Sequence, residues 1–188
     1  MELVDVSCGG ATTAHILGPW SELPEQIDAI RPGAGVVTIT IGGNDLGYVR
    51  NLFSATCKPG EGWTYQGRQV PCPPPAPPKA EDFSRLDQNL RAIVTGIRQQ
   101  APKARIIFVQ YVRLVPDVPC PALGLSPEGA MLARSIGEQL ARTTARVAQE
   151  TGAEVLPMDQ LSRGHTPCDA EPWSVGSKPL GEGANTPW

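Results

Sequence analysis

The chain has 188 residues, 40% of them apolar, which is enough for one sizeable core and short for two, so a single domain over residues 1–188 is expected. A net charge of −3 leaves no basic footprint for nucleic acid or anionic lipid, and no run approaches the roughly 18 apolar residues of an integral membrane segment. Soluble classes that act on small substrates are what remain.

In chain order, ELVDVS (Glu2 to Ser7) is short, apolar and rich in β-branched residues, and it reads as a buried strand. It runs into SCGGATT, where Gly9 and Gly10 precede a helix start with Thr12 or Thr13 as N-cap and His15 as an ordinary helix residue. PEQIDAI (Pro24 to Ile30) reads as a short helix and GVVTITI (Gly35 to Ile41) as a second strand, which breaks at Gly42, Gly43, Asn44 and Asp45. A helix is expected from Leu46 to about Ala55. The stretch from Cys57 to Ala80 reads as irregular. It contains PCPPPAPPKA, which favours an extended left-handed helix and a stiff surface excursion over a ligand for an SH3-like partner.

Beyond it, Phe83, Leu86, Leu90, Ile93, Val94 and Ile97 share one helical face. ARIIFVQY (Ala104 to Tyr111) predicts a third strand, and Leu132, Ile136, Leu140 and Val147 mark another helix. AEVLPM (Ala153 to Met158) predicts a fourth strand before an irregular tail from Pro157 to Trp188, and there is no internal repeat. Strands that alternate with helices imply a parallel sheet covered on both faces, so the fold class is α/β. Ligands of such sheets bind outside the carboxyl ends of the strands, where both glycine-rich motifs fall.

The residues themselves leave two readings of those motifs open. Gly42 and Gly43 permit a tight turn, and Asn44 or Asp45 could simply cap the helix that follows. Alternatively, a backbone N–H at Gly10 and the side-chain amide of Asn44 could meet an anion forming at the rim, as in an oxyanion hole for acyl transfer.

SCGGATT, followed about 34 residues later by VTITIGGNDLGY, resembles the second and third blocks of the SGNH (GDSL) hydrolases, above all the secreted actinobacterial esterase and lipase branch. The likeness runs from about Glu2 to the C-terminus. It implies a flavodoxin-like three-layer α/β/α fold, a metal-free and cofactor-free serine ester hydrolase, secretion, a monomer, and a small-molecule or lipid ester as substrate. Carried over by position, Gly10 is the oxyanion-hole glycine and Asn44 the asparagine that donates beside it. Acyl preference would be set by pocket walls built from Leu46 to Cys72 and Val112 to Ser126.

The family's nucleophilic Ser lies in a G-D-S block upstream of the glycine block, and its base in a C-terminal D-x-x-H block. Both are expected outside this chain, which ends at ANTPW (Ala184 to Trp188), so the fragment itself is expected to be inactive. Ser7, Ser54, Ser126 and Ser162 carry no signature of an activated nucleophile. His165 in SRGHTPCD, with Asp169 four residues on, invites reading as a base, but the family has a similar His and Cys in this loop, so the resemblance implies a loop-structuring or rim-lining His; with Cys168 it has a spacing compatible with metal, but two ligands make no site.

Five cysteines without a C-x-x-C pair favour disulfides over zinc or thioredoxin-like chemistry. Four of them allow three connectivities; the resemblance implies Cys57 with Cys72 and Cys120 with Cys168, leaving Cys8 as the orphan of a pair lost with the N-terminal block. Two rivals remain: a non-catalytic SGNH-like binding or accessory module, and a phosphate-binding α/β protein. The second has neither G-x-G-x-x-G nor G-x-x-x-x-G-K-[ST] to support it.

Overall fold

The computed structural model describes residues 2–57, 62–65 and 68–176, so ANTPW lies outside the described residues. In chain order the elements are α1 (Thr13–Leu17), a 3-10 turn (Gln26–Ala29), β1 (Val36–Ile39), α2 (Tyr48–Thr56), β2 (Trp63–Tyr65), β3 (Arg68–Val70) and α3 (Ala80–Gln100). There follow β4 (Arg105–Val109), a second 3-10 turn (Pro121–Leu123), α4 (Pro127–Thr151), β5 (Glu154–Leu156) and α5 (Met158–Leu161). They fall into two compact units. One holds the residues up to Leu46, Lys79–Gln110 and Leu140–Pro157; the other holds Gly47–Pro78, Tyr111–Gln139 and the residues from Met158 on.

The first unit contains a parallel sheet in the order β1-β4-β5, with Val36 opposite Arg105 and Ile107 opposite Glu154. The fold is the expected α/β class, three-layer α/β/α. Parallel neighbours need long crossovers, and α3 and α4 lie in those connections. The amphipathic face of α3 is as the periodicity predicts: Leu86, Leu90, Ile93, Val94 and Ile97 are buried, while Phe83 in the first turn is only half-buried. Each fully buried side chain of this size stabilises by about 1.5–3 kcal/mol. From β4, Ile106 and Phe108 point into the same unit's interior.

Gly42 ends the first strand's run at φ +101°, and a Cβ there would lie 2.8 Å from Leu140 Cδ1 and 3.0 Å from Leu86 Cδ1. The turn after β1 therefore seats directly on α3 and α4. Two charged networks tie the outer surface of this unit. Asp87 Oδ1 accepts from Arg91 Nε at 2.7 Å and Oδ2 pairs with Arg146 at 2.5 Å, while Arg105 and Glu154 meet across β4 and β5 at 2.7 Å.

Glu2–Ser7 is not a strand. Among the described residues nothing pairs with it, the sheet ends at β1, and Leu3, Val4 and Val6 are exposed by 88%, 45% and 41%. A β-rich composition supplies the propensity, but a strand exists only where a neighbouring backbone completes its ladder. The segment is held instead by a short Asx-type bond from Ser7 to Asp5 and by Gln26 Nε2 donating to Val6 O at 2.8 Å.

In the second unit the Cys57 to Ala80 stretch is less irregular than expected, since β2 and β3 pair antiparallel with Trp63 opposite Val70. Asn51 of α2, itself buried, grips the Pro-rich run: its Oδ1 accepts the Ala76 N–H at 2.9 Å and its Nδ2 donates to Ala76 O at 3.0 Å. Disulfides join Cys57 to Cys72 and Cys120 to Cys168, and Cys8 is free.

The tail also holds α5. Asp159 at its start pairs with the buried guanidinium of Arg113 at 3.1 Å, beside Asp117 at 3.2 Å and Glu138 at 3.7 Å. Burial disfavours the Arg113 charge, but these three carboxylates outweigh it and push the guanidinium pKa up. No helix among the described residues is long and apolar enough to cross a membrane.

Candidate active site

Cys8 to Ala11 form a turn closed by the Ala11 N–H donating to Cys8 O at 3.1 Å. Gly10 occupies its third position at φ +93°, the left-handed backbone that a type II turn requires there. A Cβ on Gly10 would stand 3.2 Å from Cη2 of Trp20. That indole is itself held in place: Trp20 and Leu23 exchange backbone hydrogen bonds of 3.0 Å each way, and the His15 ring stacks on it at 4.4 Å. His15 Nδ1 in turn accepts the Thr12 N–H at 3.0 Å, so its proton sits on Nε2 when the ring is neutral. Gly10 is exposed, and its N–H donates to no acceptor among the described residues.

The second glycine motif reaches this turn with both of its polar residues. Asn44, exposed after β1, donates Nδ2–H to Ala11 O at 2.9 Å, and the same nitrogen carries a second hydrogen. Asp45 accepts the Thr13 N–H at 3.0 Å on Oδ2 and 3.2 Å on Oδ1, and the Thr13 hydroxyl donates to Oδ1 in a short bond. Asn89 of α3 completes the set by donating Nδ2–H to Thr13 Oγ1 at 2.8 Å. Local capping of the following helix is not what these residues do. The N-cap of α2 is Gly47, left-handed at φ +59° with no side-chain cap, whereas Thr12 is the N-cap of α1 and Asp45 serves that helix start from 32 residues away.

The serines and the other histidine are engaged structurally. Ser7 gives both its N–H and its hydroxyl to Asp5, which holds that carboxyl below the usual range. Ser126 accepts the Gly129 N–H at 3.0 Å at the start of α4, Ser54 lies within α2, and Ser162 is fully buried between Met158 O and the Arg113 N–H. His165 stacks on Trp173 at 4.1 Å, with its Nδ1 2.8 Å from Glu171 O and its own carbonyl accepting the Trp173 N–H at 2.8 Å.

Asp169 does not orient His165. Its carboxylate takes the Thr166 hydroxyl and N–H at 2.7 Å each; these bonds lower its pKa, and the charge of His165 contributes least. Cys168 is committed to its disulfide, so the His165–Cys168 spacing is not a ligand pair.

Of the residues singled out in the sequence, the structure thus brings Asn44 against the residue that follows Gly10, while His165 and Asp169 bond within their own loop. Sequence reasoning missed Thr13, Asn89 and Trp20 as partners of the turn. Nothing local could mark the bonds of Thr13, which span 32 residues to Asp45 and 76 to Asn89, while Trp20 packs on the turn from the loop that follows α1.

The α/β fold is shared with solved structures. The chain superimposes on the phospholipase A1 of Streptomyces albidoflavus with a TM-score of 0.69 at 19% identity, covering 97% of this chain and 71% of that one. It superimposes on the extracellular lipase of Streptomyces rimosus with a TM-score of 0.67 at 21% identity, covering 96% and 71%. The chain belongs to the GDSL-like Lipase/Acylhydrolase family, whose model matches residues 1–180. It is 30% identical over 177 residues to Lipase 2 of Streptomyces coelicolor, spanning 89% of this chain and 59% of that protein. With a lipase of Streptomyces rimosus it shares 26% identity over 167 residues, 89% of this chain and 57% of that one. The chain therefore spans about six-tenths of the length of these curated relatives.

Proposed function

We propose that this chain supplies the oxyanion hole of a secreted serine carboxylester hydrolase, with Gly10 donating its main-chain N–H and Asn44 its side-chain amide. The observation that carries the reading is the 2.9 Å bond from Asn44 Nδ2 to Ala11 O. It ties the carboxamide to the residue that follows Gly10, whose own N–H is exposed and donates to no acceptor among the described residues, and the amide nitrogen keeps a second hydrogen for a ligand.

In the whole protein a serine activated by a histidine attacks the ester carbonyl, and the negative charge that develops on the carbonyl oxygen is met by these two donors. Collapse of the tetrahedral intermediate releases the alcohol, and water then releases the acid. The donors are fixed before the reaction starts, so they need no reorganisation as the charge forms.

Nucleophile and base are assigned to the family's G-D-S and D-x-x-H blocks, which these 188 residues lack; Ser7, Ser126 and Ser162 serve structural bonds, and His165 bonds within its own loop. The chain alone should accordingly release no p-nitrophenol from short-chain p-nitrophenyl esters. Lipid or other small carboxylic esters are the substrate class, by analogy with relatives named lipase and phospholipase A1. Secretion accords with the two disulfides.

The test is Asn44→Ala in the whole protein. Turnover should fall by about two to three orders of magnitude, the usual cost of losing one oxyanion donor. Because Asn44 is exposed, the melting temperature should change little. A variant that turns over at close to the wild-type rate overturns the assignment.

A further inference from the structure

We infer that Asp45 is a positioning residue for the oxyanion hole, acting through the hydrogen-bonded cluster Asp45–Thr13–Asn89. The inference rests on the reading of Gly10 and Asn44 given above and concerns how that pair is held.

Three consecutive residues, from the end of the glycine turn into α1, are each gripped. Ala11 is held by Asn44, Thr12 by the His15 ring, and Thr13 by Asp45. The first and third grips come from neighbouring residues of one loop, so that loop is clamped to the turn at two points. A single bond at Asn44 would leave the loop free to pivot about it; the second bond at Asp45 removes that freedom. The positions that matter are close in sequence to the clamp, three residues from Thr13 to Gly10 and one from Asp45 to Asn44. Misplacing a reacting partner by about 1 Å costs on the order of a hundredfold in rate.

The chemistry of the cluster suits a carboxylate. Thr13 is fully buried and presents two donors, its N–H and its hydroxyl, to Asp45, while the hydroxyl's lone pair receives the Asn89 amide. An ionised carboxylate accepts on both oxygens, but a carboxamide at position 45 has one acceptor and would set its NH2 against a donor. With a carbonyl oxygen at the Oδ1 position Thr13 keeps its hydroxyl bond but only the longer 3.2 Å contact to its N–H, so the hold of the loop on Thr13 weakens.

Electrostatics gives the inference a sign that can be read. A negative charge near a developing oxyanion opposes its formation, so neutralising Asp45 would by charge alone raise turnover. Positioning predicts the opposite.

The experiment compares Asp45→Asn, Thr13→Val, Thr13→Ser, Asn44→Ala and the double variant Asn44→Ala/Asp45→Asn in the whole protein, with a p-nitrophenyl ester as substrate. Asp45→Asn and Thr13→Val should each lower kcat by about 10- to 100-fold with KM within about twofold, whereas Thr13→Ser, which restores the hydroxyl, should recover most of kcat. In the Asn44→Ala background the further loss from Asp45→Asn should shrink, because one of the two donors being positioned is gone.

Asp45→Asn at or above wild-type kcat, while Asn44→Ala is crippled, overturns the inference and leaves the oxyanion reading standing. An undiminished loss in the Asn44→Ala background also overturns it, by assigning the effect to general damage. If Asn44→Ala itself is as fast as wild type, the oxyanion reading fails and the inference falls with it. Should Asp45→Asn not fold, Thr13→Val carries the same comparison, since it keeps the carboxylate and the Thr13 N–H.

Discussion

Gly10 and Gly42 both hold positive φ, at +93° and +101°, and each begins a different constraint. At Gly10 a methyl group would approach only the rim of the Trp20 ring, at 3.2 Å, and an indole edge can yield by a few tenths of an ångström. At Gly42 the methyl would stand 2.8 Å from Leu140 and 3.0 Å from Leu86, both in the packed layer over the sheet. Gly10→Ala should therefore cost mainly backbone strain, about 1–2 kcal/mol. Gly42→Ala adds overpacking and should cost about 2–4 kcal/mol. Urea denaturation of the two variants checks the order; equal midpoints would mean that the turn after β1 is not seated against α3 and α4 as described.

At the scale of elements, the second unit relies on covalent links where the first relies on helix faces. Its disulfides span 15 and 48 residues. On the chain-entropy model these closures stabilise by about 3 and about 4 kcal/mol respectively, the longer loop more. Replacing Cys120 and Cys168 together by Ser should lower the unfolding midpoint further than the same change at Cys57 and Cys72, measured by denaturation of the non-reduced proteins. The opposite ranking would show that the grip of Asn51 on Ala76, rather than chain closure, governs the Pro-rich stretch.

Across the whole molecule, several carboxyls are held below their ordinary range. Burial works to raise Asp87, but the bonds from Arg91 and Arg146 outweigh it; Glu154 is lowered by Arg105, and Asp169 by Thr166. A carboxyl whose folded pKa is depressed adds stability that is complete above its unfolded pKa and is lost as the pH falls through the folded value. Unfolding free energy should thus be flat from neutral pH down to about 5 and decline steadily below about 4. Salt near 0.5 M should flatten the Arg105–Glu154 share, since both groups are exposed. Stability that held constant between pH 6 and 3 would contradict these assignments.

The amino-acid sequence by itself determined the α/β class, the three paired strands β1, β4 and β5, the buried face of α3 and the two glycine turns, because β-branching, helical period and the need for glycine are written in adjacent residues. It also carried the family likeness, in SCGGATT and GGND read together. Tertiary structure alone decided the rest. Glu2–Ser7 has the composition of a strand and is not one, since a ladder needs a second backbone that no local pattern can supply. Asp45 has the position of a cap for α2 and instead binds Thr13, which also receives Asn89 from 76 residues on. A hydrogen bond depends on where two groups stand in space, and for residues this far apart in the chain that is set by the packing of sheet and helices between them.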